Sequence, residues 1–308
     1  MAITREVPLS LAGDPRRRRR ERTVRYLLLG AAAFSMLVSA AIVLSLVGEA
    51  IAFATKIELS QLWADGFFPR RGRFDLRTII VHTLVVSAVA MAVATPLGLG
   101  AAVYLSEYAR PRLRRLLKPA LEILAGIPSV VLGFFALQFI TPELLRRIWE
   151  TTEIFNLAAA GIGVGILIVP LVASVSEDAM RAVPRSLREA SYGLGAQRWH
   201  TSLRVVFPAA LSGIAAALIL GVSRAIGETM VVAIAAGASG GSLLTLNPLE
   251  GGQTMTGAMA SLAIGSDQVA GAVSAFQSLF FVGLLLFVMT LALNILSERI
   301  VRRFRQRY

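Results

Sequence analysis

The feature that most limits this chain is an alternation: apolar runs of twenty or more uncharged residues are separated by short clusters rich in Arg and Lys. A soluble core needs no such runs, whereas a hydrocarbon layer about 30 Å thick needs about 20 apolar residues per crossing helix. Hydrophobic residues make up 56% of the chain and mean hydropathy is +0.68, in keeping with membrane residence. The pattern predicts an all-α, polytopic membrane protein with six transmembrane helices. The spans are expected at residues 26–54, 78–105, 117–140, 157–175, 209–236 and 270–296. The first is too long for a signal-peptide core and lacks a cleavage context, so it reads as an anchor.

The expected organisation is a basic tail (1–25), a six-helix transmembrane domain (26–298) carrying a polar loop at 176–207, and a second basic tail (299–308). Once the spans are removed, no soluble domain and no internal repeat remain. Orientation follows from counting Lys and Arg in alternate loops. The N-terminal tail carries eight, and five each stand in the loop around Arg110–Lys118, in the loop around Glu189 and in the C-terminal tail. That places 23 on one side against seven on the other, with Arg224 inside a span. Both termini and the Glu189 loop are therefore expected in the cytoplasm.

The net charge of +12 and the run Arg16 to Arg20 would suit nucleic acid in a soluble protein. Here flanking cations fix orientation and meet anionic lipid head groups, so membrane lipid is the expected partner and nucleic acid is not. The sequence contains no cysteine, and His82 and His200 stand far apart without ligand spacing, so no metal site is expected. The outer segment 56–77 is basic for its side. It reads as an interfacial stretch partly balanced by Glu58, Asp65 and Asp75, with docking of an anionic solute or outer partner as the alternative.

The polar loop has internal order. Pro184-Arg185-Ser186 marks a helix start, Gly193 and Gly195 a turn, and Trp199 to Val206 resumes a helical pattern before Pro208. Two short helices about a glycine turn make a knob that would seat in a partner's groove; an ordinary amphipathic loop is the plainer reading. The spacing adds to this. Glu189-Ala190-Ser191, three residues, Gly195, nine residues, then Val205-Val206-Phe207-Pro208 resembles the loop by which ABC importer permeases grip their ATPase: Glu-Ala-Ala, three, Gly, nine, Ile-x-Leu-Pro. The resemblance implies the type I permease fold and coupling through Glu189, Ala190, Ser191, Gly195, Val205, Phe207 and Pro208. Ser191 departs from the second Ala.

A second constellation is Arg224-Ala225-Ile226-Gly227-Glu228-Thr229, placed inside the fifth span. One Arg at bilayer depth costs at least about 2.5–3.5 kcal/mol. Four residues apart on a helix, Arg224 and Glu228 are expected to share a face and pair, with Gly221 and Gly227 allowing close helix approach. A forked guanidinium suits a tetrahedral oxyanion, so Arg224, Glu228 and Thr229 are candidate pathway residues; a structural salt bridge is the alternative. Arg-Ala-Ile-Gly-Glu-Thr-Met also resembles phosphate-specific ABC permeases, as do residues 124–131, 187–195 and Met255-Thr256. Residues 111–119 and the Gly-Glu-Thr-Met ending lean toward the PstC type over the PstA type.

The resemblance implies a permease of the bacterial inner membrane that imports phosphate. Its implied partners are a second similar permease, two ABC ATPase copies holding ATP and magnesium, and an extracytoplasmic phosphate-binding protein. The phosphate-loop pattern Gly-x4-Gly-Lys-Ser/Thr is absent, so the chain is expected to be no enzyme and to bind no cofactor itself. Another oxyanion, sulfate or molybdate, is the nearer alternative; a secondary transporter using Arg224 and Glu228 for ion coupling is the other. Pro128 is expected to kink the third span, and the loop 237–269 to hold a re-entrant or interfacial piece. Trp63, Trp149 and Trp199 fall near span ends, as interfacial anchors do.

Overall fold

The computed structural model describes residues 15–63, 65–237, 241–264 and 273–304. The expected tails lie partly outside these (1–14 and 305–308), as do parts of the 237–269 loop and the start of the sixth span. The chain divides into two units, Met1–Gly48 and Glu49–Tyr308. From Pro15 the first unit is helical, in a helix assigned Pro15–Ala54. The helix thus begins within the expected 1–25 tail, and the sixth-span helix, Val273–Phe304, likewise runs into the expected 299–308 tail.

Among the described residues five helices are long and apolar enough to cross a membrane: Arg19–Ala54, Leu76–Tyr108, Ser129–Ile148, Leu157–Arg181 and Ser274–Arg299. Arg198–Ala209 and Leu211–Ile226, joined through a 73° bend, make a sixth when the bent pair is taken as one span. In the second unit the second and fourth spans form the heart of the bundle around Val86, Ala90, Ala94, Val164, Ile168 and Val172. They meet through glycine: a Cβ on Gly161 would stand 2.6 Å from Val89 Cβ, and one on Gly165 2.8 Å from the Ala90 carbonyl. Asp75 caps the second span, its carboxylate accepting from Arg77 N at 3.2 Å and Thr78 Oγ1 at 2.7 Å. Within that span Thr83 and Ser87 donate to carbonyls one turn back, so neither hydroxyl is orphaned in the core.

Three expectations about the spans are corrected. The apolar stretch 117–140 is not one helix: Pro111–Leu124 is a separate amphipathic helix, and the third span starts at Ser129 and runs through a π-helical stretch to Ile148. Pro128 therefore caps that span instead of kinking it; its missing N–H costs nothing there. The stretch 209–236 is also discontinuous, since the helix ends at Ile226 and restarts at Met230. The fourth span extends past residue 175 to Arg181, which takes Ser176 and Glu177 out of the loop and buries them.

On the face opposite the Glu189 loop, Phe67–Phe68 and Arg73–Phe74 form a two-stranded ribbon. The ribbon is bridged to Ser242 of the 237–269 loop. Asp75 pairs with Arg77 at 3.1 Å, balancing part of the basic 56–77 segment. The 237–269 loop contains a short apolar helix, Met255–Ile264, too short to cross, whose first turn is buried.

Candidate functional site

The Glu189 loop folds as two short helices. Arg185–Gly193 ends in a reversal where Ala196 N donates to Ser191 O (3.1 Å) and Gly195 N to Tyr192 O (2.9 Å). These are the two bonds of a Schellman cap, and the residue between them must be left-handed. Gly195 has φ +80°, a region that side-chain-bearing residues rarely occupy. The second helix, Arg198–Thr201, continues through a π turn at Ser202–Val206 into Phe207–Ala209.

Ser191, the departure from the resembled pattern, has a local role. Its hydroxyl lies 2.8 Å from Thr201 Oγ1 and clasps the two helices together. Of the candidate coupling residues, Glu189, Ala190, Gly195 and Pro208 are exposed, while Ser191, Val205 and Phe207 are half-buried. Leu194 is 90% exposed and Trp199 52%, an apolar tip beside a groove of about 590 Å³ lined by Leu194, Trp199, His200 and Arg204. All seven residues therefore belong to one knob.

The back of the knob is fastened by charge. Arg188 Nη2 donates to Glu107 Oε1 at 2.8 Å and to Met180 O at 2.9 Å, and Nη1 donates to Val183 O at 2.7 Å. The side chain of Glu107, at the end of the second span, is 3% exposed. A second anchor centres on Glu177, which is fully buried: Arg114 Nη2 stands 2.5 Å from Oε1, and Lys118 Nζ donates to Oε2 at 2.8 Å. The Arg114 approach is an ion pair without hydrogen-bond alignment, leaving Oε1 without a directed donor. Lys118 also donates to Asp178 at 2.6 Å. Burial disfavours its ammonium, but Asp178 and Glu177 outweigh that and raise its pKa.

Sequence reasoning missed both anchors. Glu177 had a usable signal, because it continues the buried stripe of Ala173 and Met180 at helical spacing. Arg181, one turn on, stands 3.8 Å from Oε1, but Lys118 and Arg114 lie 59 residues and more away, and nothing local announces them.

The structure separates Arg224 from Glu228. Arg224 occupies the last turn of its helix and is exposed, and no ion pair joins it to Glu228 among the described residues. The expected pairing required a continuous helix, which stops at Gly227. Instead Glu228 Oε1 accepts from Val231 N at 3.4 Å, at the start of the next helical piece, and its carbonyl accepts from Thr256 Oγ1 at 2.7 Å. Thr229 Oγ1 donates to Gly227 O at 3.4 Å. Gly221 is buried beside Ile168 and Met91, as close approach requires, but a Cβ on Gly227 would meet only its own helix's carbonyls.

His82, considered in the sequence only as a metal ligand, is buried. Its Nε2 accepts from Thr245 N at 3.2 Å, which leaves Nδ1 to donate to Gln253 O at 3.3 Å. It ties the 237–269 loop to the second span. No group of His, Asp and Glu suited to a metal occurs among the described residues.

Comparison with known proteins adds family context. A family described as binding-protein-dependent transport system inner membrane component matches residues 94–308. A probable ABC transporter permease protein, YqgH of Bacillus subtilis, is 35% identical over 60% of this chain, which spans 59% of that protein's length. The phosphate transport system permease protein PstC of Pasteurella multocida is 34% identical over 67% of this chain and 70% of its own. Among solved structures, a bacterial alginate ABC transporter in complex with its alginate pentasaccharide-bound periplasmic protein superposes at a TM-score of 0.64. That match covers 94% of this chain and 96% of the other at 14% identity, a likeness of fold.

Proposed function

The chain belongs to the family of binding-protein-dependent transport system inner membrane components, and from that premise we propose that it is one of two permease subunits of an ABC importer of inorganic phosphate. It sits in the bacterial inner membrane as a multi-pass protein, with both termini and the Glu189 loop in the cytoplasm, as the 23-to-seven distribution of cations favours. A second, similar permease completes the pathway. Two ATPase copies supply the hydrolysis with their own ATP and magnesium, and an extracytoplasmic binding protein delivers phosphate. PstC is the subunit type that the relatives favour.

The observation that carries the reading is the knob: exposed Glu189, Ala190, Gly195 and Leu194 in front, and buried charge behind. A surface held this way moves as a body when a partner pushes it. Displacement passes through Arg188 and Glu107 into the second span, and through Phe207–Ala209 into the helix Leu211–Ile226. At the far end of that helix stands Arg224. Among the described residues its guanidinium has no carboxylate partner and offers forked donors to an oxyanion, while Glu228 is held aside by its own backbone contacts. Thr229, one residue on, brings a hydroxyl to the same break.

The test is uptake of labelled phosphate by the reconstituted complex. A charged hydrogen bond is worth about 1.5–3 kcal/mol, so Arg224→Ala lowers uptake by about 10- to 150-fold while the complex still assembles. Undiminished uptake refutes the pathway role. Competition by sulfate or molybdate as strong as that by phosphate would assign a different oxyanion.

A further inference from the structure

The helix Pro111–Leu124 has no buried residue, and its two sides differ sharply. Arg112, Arg114, Arg115, Lys118 and Glu122 fall on one side of the helical circuit; Leu113, Leu116, Ile123 and Leu124 fall on the other. Arg114 and Lys118 are latched to Glu177 at the end of the fourth span, which turns the charged edge toward the protein. The apolar side is then left open: Leu116 is 68% exposed, Ile123 74%, Leu124 49% and Leu113 38%.

Where this helix lies decides what covers that side. Two residues separate it from the end of the second span at Tyr108, and four separate its last residue from the third span at Ser129. Both ends are therefore held at one membrane face. At about 1.5 Å per residue the helix is about 21 Å long and has to run along that face. Arg110, Arg112 and Arg115 are exposed, and no carboxylate lies within ion-pair distance of them among the described residues. Arg112 stands one turn from Leu116, at the border of the apolar side. An apolar stripe at the depth of the span ends, edged by free arginines, is complementary to acyl chains below anionic head groups.

We propose that Pro111–Leu124 is an interfacial lipid-binding helix: its leucine and isoleucine side enters the acyl boundary, and Arg110, Arg112 and Arg115 hold anionic phospholipid. The inference needs only that the chain spans a membrane and holds whatever solute it carries.

Because the chain has no cysteine, single sites can be labelled directly, with the cysteine-free parent as background. Leu116→Cys, Ile123→Cys and Glu122→Cys are each given an environment-sensitive fluorophore. The labelled chain, with its co-purifying subunits, is placed in nanodiscs of phosphatidylcholine and phosphatidylglycerol. The expected result is quenching at 116 and 123 by nitroxide-bearing lipid, and at 122 by aqueous iodide. Nitroxide phosphatidylglycerol should quench more strongly than nitroxide phosphatidylcholine at equal mole fraction, reflecting about fivefold enrichment per arginine. Replacing Arg110, Arg112 and Arg115 with Gln should remove that preference. Iodide quenching at 116 and 123 without lipid quenching would leave the face in water. Protection from both quenchers would assign it to another subunit. Either result overturns the proposal, and equal quenching by the two lipids in the parent series overturns its anionic part.

Discussion

Replacing Gly195 tests how the knob is built, because the structure separates two costs that usually come together. A Cβ there would find nothing within 4 Å, so a side chain meets no clash inside the chain. The remaining internal cost is conformational: at φ +80° an ordinary L-residue pays about 1–2 kcal/mol, and Asn pays less because its short amide tolerates that region. At 1.4 kcal/mol per tenfold, Gly195→Ala shifts the turn about 5- to 30-fold away from its capped form. The two cap bonds to Tyr192 O and Ser191 O weaken with it. Binding-protein-stimulated ATPase activity and phosphate uptake of the reconstituted complex should fall in the order Gly, Asn, Ala. Activity of Gly195→Ala equal to the parent's would show that the turn is not needed in this form. Asn below Ala would mean that side-chain bulk against a partner, and not backbone strain, sets the loss.

Glu107→Gln keeps the shape at Arg188 but removes the opposing charge; a loss of about 1.5–3 kcal/mol at the knob's base should lower the melting temperature and weaken ATPase stimulation. Unaltered stimulation would remove Glu107 from the coupling route. Glu177→Ala leaves Arg114 and Lys118 facing a vacated carboxylate. The cost should stay below the about 3–5 kcal/mol of a fully buried pair, since both cations are 24% exposed. Faster amide exchange along Pro111–Leu124 is the expected sign, and unchanged protection refutes the latch. Hydrogen bonds from Thr245 and Asn247 hold the Glu250 carboxyl below its usual range. Its folded pKa is depressed, so its contribution is complete above the unfolded value of about 4.3 and is lost as pH falls through the folded value. Amide exchange in the 247–252 turn should be flat from pH 5 to 7 in its folded protection factor and weaken below about pH 4. Glu250→Gln should abolish that step, and a step that persists would place its origin elsewhere.

The number of spans and the helical halves of the knob were legible because both are local. Long uncharged runs, Pro184 before a helix and Gly195 after one act within a few residues of themselves. The breaks inside spans were less legible, since apolar composition looks the same on either side of them. The amphipathic pattern of Pro111–Leu124 was present in the sequence, yet the apolar run beyond it masked the boundary at 125–128. At Gly227-Glu228-Thr229 the helix stops without a proline, and the contact that stabilises the stop comes from Thr256, 28 residues later. The separation of Arg224 from Glu228 follows from that stop and was out of reach of spacing arguments. Ser191 is the converse case: it looked like a departure from a pattern, and in the structure it closes a hydrogen bond within the same pattern.

The stop at Gly227 also joins the two ends of the proposed machine. Thr256 belongs to the outer helix Met255–Ile264, whose Met255 N donates to Thr83 Oγ1 of the second span at 3.0 Å. The outer loop before it is fixed to the same span through His82. Glu228 is thus held to Thr256 and, through that helix, to the second span, while Arg224, four residues earlier, belongs to the unbroken helix Leu211–Ile226. That helix meets the sixth span through Ser223 Oγ donating to Asn294 Oδ1 at 3.0 Å, and continues around the 73° bend into the knob. In the proposed importer a push on the knob would therefore move Arg224 relative to Glu228 instead of carrying both together. A continuous helix with a closed Arg224–Glu228 pair would hold cation and carboxylate at fixed separation. In the proposed importer the interrupted one would let an ATP-driven displacement change how much of the guanidinium an anion meets.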